Sequence, residues 1–190
     1  MIIVISGPSG VGKGTIAREL IKKDSKITLA VTCTTRTKRR NEIDKKDYYF
    51  LSEGEFFNKI KQGEFAEYSV VHGKHYGVLK KTIEEGLLNE KDILLQIDVQ
   101  GAKKIKNQYE QALLIFIMPP SIDDLFKRLD KRGTETFEEE ENRIKRAKEE
   151  IEERIFYDFV VVNDEVDRAT DEILNIIMVE REKRFKVYKQ

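Results

Sequence analysis

Short apolar runs alternate with longer amphipathic stretches along this chain, and the two patterns predict different elements. The runs at 2–6, 93–97, 113–118 and 159–162 are nearly continuous in apolar residues, which is typical of buried strands in a parallel sheet. The stretches between them repeat apolar residues three or four positions apart, which predicts helices. Alternation of the two patterns indicates an α/β fold built on a parallel sheet.

Capping signals place the starts of two helices. Ser52 and Glu55 have the capping-box spacing, so a helix is predicted over 53–61. Ser121 and Asp124 predict a second start, for a helix that runs to about residue 131. Further helices are predicted at 13–23, 82–89, 102–108, 132–154 and from 166 onward. On the last of these we expect the core-facing residues to be Ile173, Ile176, Ile177 and Phe185.

A segment near the middle of the chain differs from this pattern. A basic, turn-rich stretch at 36–46 is followed by strand-like residues at 48–51, 65–71 and 75–77, and 27–32 predicts a further strand. We therefore expect a small, mainly antiparallel insertion over 34–79. The core is then formed by 1–33, 80–125 and 155–190, and the intensely charged segment 126–154 is a separate helical part.

Composition narrows the function classes. The 35 basic and 35 acidic residues cancel, whereas a nucleic-acid-binding protein usually has a basic excess. Cys33 is the only cysteine, so no intrachain disulfide forms, which fits a reducing compartment. The first residues lack a signal-peptide pattern, and no run reaches the roughly 18 apolar residues of a membrane span. We therefore expect a cytoplasmic protein that binds neither nucleic acid nor membrane.

The clearest chemical signal follows the first predicted strand. A glycine-rich loop that leads from a strand into a helix is the context of a P-loop, in which backbone N–H groups and the helix N-terminus bind phosphate oxygens. A lysine in such a loop adds a full positive charge near the β- and γ-phosphates. The residues predicted to bind the phosphates of a nucleotide are Gly7, Pro8, Ser9, Gly10, Val11, Gly12, Lys13, Gly14 and Thr15.

The loop departs from the strict P-loop pattern at one position. That pattern has Ser or Thr directly after the lysine as a Mg²⁺ ligand, but here Gly14 follows Lys13 and the hydroxyl arrives at Thr15. A Gly-Lys-Gly-Thr ending is typical of nucleoside monophosphate kinases. Thr15 is thus a candidate to contact Mg²⁺ through a water, and the other metal contacts stay undetermined. The loop alone leaves ATPases, GTPases and small-molecule kinases open.

Further segments of the chain form a recognisable series. They are Thr34-Thr35-Arg36 with Arg39, Glu42 and Asp47-Tyr48, then 63–68, 72–77, 97–102, 119–121, 132–134 and 161–164. In their residues and in their order, which spans nearly the whole chain, these segments resemble the guanylate kinase family. The resemblance implies transfer of the γ-phosphoryl group of ATP to GMP, or to dGMP, with Mg²⁺. It also implies a P-loop NTPase-type sheet flanked by helices, a GMP-binding insertion at 34–79 and a helical lid at 126–154.

The resemblance also implies a set of GMP-binding residues. Arg36 and Arg39 would clamp the phosphate dianion, which two planar guanidinium groups suit well. Glu67 would accept hydrogen bonds from guanine N1–H and the 2-amino group, which adenine cannot offer together. The other residues implied in GMP binding are Thr32 and Asp98 near the base, Tyr48 and Tyr76 as hydroxyl donors, and Glu42.

The remaining implied residues lie in the lid and near ATP. Arg132 and Arg143 in the lid would join Lys13 and Arg36 in stabilising the transferring phosphoryl group, and Asn163 would lie near the adenine. The chain departs from the family at Val78, where Ser or Thr usually touches the guanine. It also departs at Gln96, where an acidic residue often helps to hold Mg²⁺.

Two alternatives remain at this point. Guanylate kinase-like domains of membrane-associated scaffolds keep the fold but bind proteins, although those domains normally have damaged P-loops. Another small P-loop kinase, acting on AMP or a sugar phosphate, would not need the carboxylates of Glu67 and Asp98. The oligomeric state is undecided from the sequence.

Overall fold

The computed structural model describes residues 1–71, 73–130 and 137–187. Its strands are β1 (Ile2–Ser6), β2 (Ile27–Leu29), β3 (Thr32–Thr34), β4 (Tyr48–Phe50), β5 (Phe65–Val71), β6 (Lys74–Leu79), β7 (Asp92–Gln96), β8 (Leu113–Met118) and β9 (Phe159–Val162). Its α-helices are α1 (Lys13–Lys23), α2 (Glu53–Lys61), α3 (Lys80–Leu88), α4 (Val99–Gln108), α5 (Ile122–Asp130), α6 (Phe137–Glu152) and α7 (Val166–Val187). A 3₁₀ turn, Glu153–Phe156, follows α6.

The strands form two sheets. The larger has five strands in the order β2-β7-β1-β8-β9, with β2 parallel to β7 and β8 parallel to β9. All of β1 and nearly all of β8 are buried, as their continuous apolar runs predict. The smaller sheet has the order β4-β3-β6-β5; its β3–β6 and β5–β6 pairs are antiparallel and its β3–β4 pair is parallel.

The chain divides into two compact units. The first contains Met1–Val4 and Lys26–Ala112, and the second contains Ile5–Ser25 and Leu113–Gln190. The first unit therefore holds the smaller sheet and α2 to α4, while the second holds α1, β8, β9 and α5 to α7. The division into core, insertion and lid stays a prediction.

The smaller sheet has its own apolar core. Cys33, Phe56 and Phe65 are buried together there, and the rings of Phe56 and Phe65 stack at 4.5 Å. Helix α2 reaches this core because its start is fixed by the predicted capping box: the Glu55 N–H donates to Ser52 Oγ (3.3 Å), and the Ser52 N–H donates to the Glu55 carboxylate (2.7 Å).

Four sequence predictions about elements need correction. The run predicted as one strand over 27–32 is broken at Ala30 and Val31, because β2 pairs with β7 and β3 pairs in the other sheet. Helices α3 and α4 begin two and three residues earlier than predicted. On α7, Ile173 and Ile177 are buried as expected and Ile176 is partly buried, but Phe185 is 63% exposed.

The search for membrane-spanning helices gives one result. Among the described residues, no helix combines the length and the apolar character needed to cross a bilayer.

Candidate functional site

The glycine-rich loop between β1 and α1 has the backbone of an anion-binding turn. Gly7, Gly10 and Gly12 have φ values of +140°, +83° and +103°, which side chains strongly disfavour. Gly12 is the N-cap of α1, gives no side-chain cap, and is followed by a first turn without an acidic residue. The first N–H groups of α1 are therefore left for an anion from outside the helix.

Side chains hold this loop in shape. Lys13 Nζ donates to the carbonyl oxygens of Gly7 (2.6 Å) and Pro8 (3.1 Å), so the ammonium bends back over the loop. Asn163, buried just after β9, donates from Nδ2 to the Val11 carbonyl oxygen at 2.7 Å. Any Cβ on Gly12 would collide with that amide, which explains the glycine. The buried contact of Asn163 is thus with the loop backbone.

Thr15, the residue predicted to contact a metal ion through water, belongs to the second unit. Thr15 lies in the first turn of α1, partly exposed, and its Oγ1 accepts a hydrogen bond from Arg18 Nη2 at 3.4 Å. Among the described residues, no group of three or more His, Cys, Asp or Glu side chains could hold a metal ion.

An arginine–carboxylate pair organises the basic loop of the first unit. Arg36 donates in bidentate fashion to Glu42, at 2.6 and 3.0 Å, and donates to the Thr37 carbonyl oxygen at 2.7 Å. Glu42 also accepts from the Arg39 N–H at 2.8 Å. The hydrogen bonds of this pair raise the pKa of Arg36 and lower that of Glu42. Both side chains are consequently charged and fixed.

Two tyrosines lie beside this pair. The rings of Tyr48 and Tyr76 meet edge to face at 6.1 Å, and Arg36 Cζ lies 5.3 Å from the centre of the Tyr48 ring. Burial raises the pKa of Tyr48, so its phenol stays a neutral hydrogen-bond donor. The Arg39 side chain is exposed, and it has no side-chain hydrogen bond within the part of the chain that the structure describes.

Glu67 is the most unusual charged residue of the first unit. It lies on β5 with only 3% of its surface exposed, and its Oε2 accepts no hydrogen bond from any described residue. A Cβ on Gly101 would come within 2.7 Å of that oxygen, so the carboxylate lies directly over a glycine of α4. Burial and the nearby Asp98 raise the pKa of Glu67 to about 8, against smaller opposing effects of Lys104 and the Val78 N–H.

Asp98 supports this carboxylate from the start of α4. It is the N-cap: Oδ1 accepts from the Gly101 N–H at 2.8 Å, and Oδ2 accepts from Ser69 Oγ at 2.6 Å. Asp98 therefore links the first turn of α4 to β5, the strand that carries Glu67. Thr32 is buried on β3, in register with Tyr48.

Two of the predicted lid arginines are not among the side chains that the structure describes. Arg132 lies outside the described residues, and so does the side chain of Arg143, whose backbone belongs to α6. The remaining candidates form three groups. The second unit holds the glycine-rich loop with Lys13, Thr15 and Asn163. The first unit holds the pair Glu67 and Asp98, and the cluster of Arg36, Arg39, Glu42, Tyr48 and Tyr76, with Thr32 in register with Tyr48.

Sequence reasoning missed two residues beside Glu67. Ser69 is two positions along β5, so it shares a face of the strand with Glu67, and this period of two is a signal that could have been used. Gly101 was noticed only as part of a family segment, and its contact with Glu67 depends on how α4 packs against β5. The departure Val78 is buried on β6, in register with Glu67.

Comparison with known proteins agrees with this arrangement. The family model for guanylate kinase matches residues 1–180. The chain is 44% identical to a guanylate kinase of Caldanaerobacter subterraneus subsp. tengcongensis, over 95% of this chain and 88% of that protein. It is 45% identical to a guanylate kinase of Clostridium tetani, over 95% and 86% of the two chains.

A solved structure gives the same result at the level of the fold. The crystal structure of guanylate kinase from Anaplasma phagocytophilum superposes with a TM-score of 0.80 at 36% identity, covering 95% of this chain and 85% of that one. The predicted α/β fold of P-loop NTPase type, with helices flanking a parallel sheet, is therefore confirmed. With a family match across nearly the whole length, the chain belongs to the guanylate kinase family.

Proposed function

We propose that this member of the guanylate kinase family, an ATP:GMP phosphotransferase, recognises guanine through Glu67 and binds the ATP phosphates on the glycine-rich loop of residues 7–15. The observation that carries the proposal is the buried Glu67 Oε2, an acceptor that no described residue satisfies. A buried acceptor without a partner is destabilising unless a ligand satisfies it. Guanine offers two adjacent donors, N1–H and the 2-amino group, that match a carboxylate.

The same carboxylate disfavours the binding of adenine. Adenine presents an acceptor at N1 and lacks a 2-amino group, so it would leave the Glu67 carboxylate unpaired. Sites that are built to hydrogen-bond a ligand reject analogues lacking those groups by roughly 10⁴-fold or more. Val78 presents no hydroxyl at the register position opposite Glu67, so we propose that Glu67 carries most of the base discrimination in this chain.

The phosphate of GMP is assigned to the arginine cluster. Glu42 holds the Arg36 guanidinium in one orientation, and the exposed Arg39 side chain is available to close over a dianion. The Tyr48 and Tyr76 hydroxyl groups add neutral donors. Thr32, buried opposite Tyr48, is the proposed contact to the base that Ser makes in other family members.

The glycine-rich loop fits the triphosphate of ATP. Left-handed glycines and an uncapped helix start present several N–H groups, and Lys13 adds a positive charge once its bonds to Gly7 and Pro8 give way to phosphate oxygens. Asn163 acts by holding the loop through Val11. Thr15 would contact Mg²⁺ through a water, and the ion would neutralise part of the charge of the phosphates.

The reaction needs no covalent enzyme intermediate. An oxygen of the GMP phosphate attacks the γ-phosphorus of ATP, ADP leaves, and GDP forms. Positioning and electrostatic stabilisation supply most of the catalysis in such transfers. We assign that stabilisation to Lys13, Arg36, Arg132 and Arg143, the last two carried by the proposed lid at 126–154, which would also exclude water from the reacting groups. We further propose a cytoplasmic enzyme that also accepts dGMP and does not bind nucleic acid.

The test is a coupled ADP-release assay with ATP and Mg²⁺, in which GMP, AMP, CMP and UMP are offered in parallel. We expect strong turnover with GMP only. Turnover with AMP at a comparable rate would overturn the assignment of Glu67. No turnover with any acceptor, from protein with a cooperative unfolding transition, would favour a protein-binding module instead.

A further inference from the structure

One face of α4 lies against the strand that carries Glu67. Residues three apart on a helix share a face, and Asp98 at the N-cap of α4 begins such a row against β5 that continues with Gly101 and Lys104 in the helix. Their contacts are Asp98 with the Ser69 hydroxyl, Gly101 with the Glu67 carboxylate, and Lys104 with the Tyr68 carbonyl oxygen. Within this row, an acidic and a basic residue flank the glycine against which the Glu67 carboxylate lies.

Lys104 is fixed although its side chain is exposed. Its ammonium group donates to the Tyr68 carbonyl oxygen and also lies 4.8 Å from the centre of the Tyr68 ring, in a cation–π contact. Tyr68 is the neighbour of Glu67 in β5, so these contacts fix the ammonium group against the strand that carries the buried carboxylate. The family resemblance pointed to no role for Lys104.

The electrostatic surroundings of Glu67 are few and can be named. The charges of Asp98, at the N-cap of α4, and of Lys104, on α4, act on its carboxyl group, and the Val78 N–H of β6 donates a hydrogen bond to it. Asp98 and burial favour the protonated carboxyl group, whereas Lys104 and the Val78 N–H favour the carboxylate. Lys104 is the one cation in this set, so its charge bears on the state in which Glu67 meets a ligand.

We propose that Lys104 is a positioning residue for base recognition, whose positive charge favours the ionised form of Glu67 that accepts both guanine donors. The inference rests on the proposed function, since it concerns the same carboxylate. A protonated carboxyl group has one oxygen occupied by hydrogen, so it cannot accept from N1–H and the 2-amino group together. Binding of GMP then requires loss of that proton.

The sign of the pH effect follows from this requirement. The pKa of Glu67 is raised to about 8, so at neutral pH the empty site is mostly protonated and GMP binding must release a proton. Removal of the Lys104 charge raises the pKa of Glu67 further. At a pH below the pKa of Glu67, each unit by which that pKa rises weakens GMP binding roughly tenfold. A rise of half a unit to one unit therefore weakens GMP binding roughly threefold to tenfold. Above both pKa values the difference disappears.

The experiment compares GMP dissociation constants by titration calorimetry at pH 6.5, 7.5, 8.5 and 9.0. The proteins are the wild type, Lys104→Met, Lys104→Arg and Lys81→Met; the last removes a lysine with 80% of its side chain exposed from α3 of the same unit. We expect the ratio of Lys104→Met to wild-type Kd to be roughly threefold to tenfold at pH 6.5 and to fall below about twofold at pH 9. The phosphate of GMP titrates equally with all four proteins, so the ratio cancels it.

The controls separate charge from structure. Lys104→Arg and Lys81→Met should follow the wild type at every pH, and calorimetry in two buffers of different ionisation enthalpy should show proton release when the wild type binds GMP at pH 7.5. A Lys104→Met ratio that is constant across pH, or an Arg variant that behaves like the Met variant, overturns the inference while GMP binding stands. Failure of the wild type to bind GMP even at pH 9 overturns the proposed function itself.

Discussion

The carboxylate of Glu67 makes stability depend on pH in a direction opposite to that of ordinary acidic residues. Its folded-state pKa of about 8 is above the ordinary value of 4.5, so between these pH values the native chain binds a proton that the unfolded chain has released. The stabilisation that this bound proton contributes is therefore fully present below pH 4.5, and it is lost as the pH rises to 8. The whole effect is about 5 kcal/mol at most, at roughly 1.4 kcal/mol per pKa unit.

Glu67→Gln removes this dependence, because an amide does not ionise. We expect the variant and the wild type to unfold at similar urea concentrations at pH 5, and the variant to become more stable by a few kcal/mol at pH 8. Urea unfolding at pH 5, 6.5 and 8 measures the difference. Glu84→Gln, at an exposed position on α3, is the control. A stability difference between Glu67→Gln and wild type that does not change with pH would contradict the buried, proton-binding state of Glu67.

Residue types in the site were easier to predict than their environments. The sequence pointed to Glu67, Asp98 and Arg36 through family segments. It could not show that Arg36 is already held by Glu42, because such a pair depends on the path of a turn-rich loop. Nor could it show that one oxygen of Glu67 lies buried over Gly101, which results from packing between elements distant in sequence.

Among the elements, the first turn of α4 determines where the base-recognising carboxylate lies. Gly101→Ala would place a Cβ 2.7 Å from Glu67 Oε2 and 3.0 Å from Cδ, so the carboxylate must move. Alanine is also the better helix former, by about 1 kcal/mol. We therefore expect Kd for GMP to rise roughly tenfold or more, since one hydrogen bond to a charged group contributes about 1.5–3 kcal/mol, without loss of overall stability.

Gly54→Ala is the matched control for that change. Gly54 lies in the first turn of α2, where a Cβ would meet nothing within 4 Å. We expect this variant to bind GMP like the wild type and to be equally or slightly more stable. Titration calorimetry and urea unfolding of both variants decide the matter. Wild-type GMP affinity in Gly101→Ala would show that the carboxylate does not need its place over the glycine.

The capping box of α2 gives a prediction on stability alone. Ser52→Ala leaves the Glu55 N–H without its side-chain acceptor, which typically costs about 1 kcal/mol. The helix bears Phe56, the centre of the small apolar core, so the loss should appear in the urea unfolding midpoint of the whole unit. Ser52→Thr keeps the hydroxyl and should restore most of the loss. An alanine variant as stable as the wild type would show that water replaces the cap fully.

Local sequence patterns predicted the bounds of helices and strands well wherever a capping residue or an apolar run marked the element by itself. Capping residues and apolar runs gave α1, α2, β5, β8 and β9 with the same bounds that the structure has. They failed at 27–32, because nothing in that apolar run shows that its two halves pair with strands of different sheets. Likewise the apolar ring of Phe185 suggested a core position, yet helical periodicity cannot show where the apolar neighbours of α7 end.

At the scale of the whole molecule, each compact unit holds the residues proposed for one nucleotide. Lys13, the glycine-rich loop and Asn163 belong to the second unit, and Arg36, Glu67 and Asp98 belong to the first. The hydrogen bonds that shape the loop join residues of the second unit, and those that hold Asp98 join residues of the first. A local change in one set should therefore leave binding of the other nucleotide nearly intact.

Two variants test this separation. Lys13→Met removes the charge proposed to bind the β- and γ-phosphates, so we expect Kd for ATP to rise roughly tenfold or more, while Kd for GMP changes by less than about twofold. For Glu67→Gln we expect the reverse: Kd for GMP rises roughly tenfold or more, while Kd for ATP changes by less than about twofold. Both should lose turnover by roughly 100-fold or more, because transfer needs both nucleotides in place. Lys22→Met, near the other end of α1 in an exposed ion pair with Glu19, should leave all three quantities unchanged.

Binding measured with one nucleotide at a time distinguishes this arrangement from a single shared site. In a shared site, Lys13→Met would weaken GMP as strongly as ATP, because the loss of one charge would act on every phosphate that enters. With separate residue sets, only the turnover assay, which requires both nucleotides, responds to both variants. Equal weakening of the two nucleotides by Lys13→Met would therefore contradict the assignment of one nucleotide to each unit, whatever the turnover of the wild type.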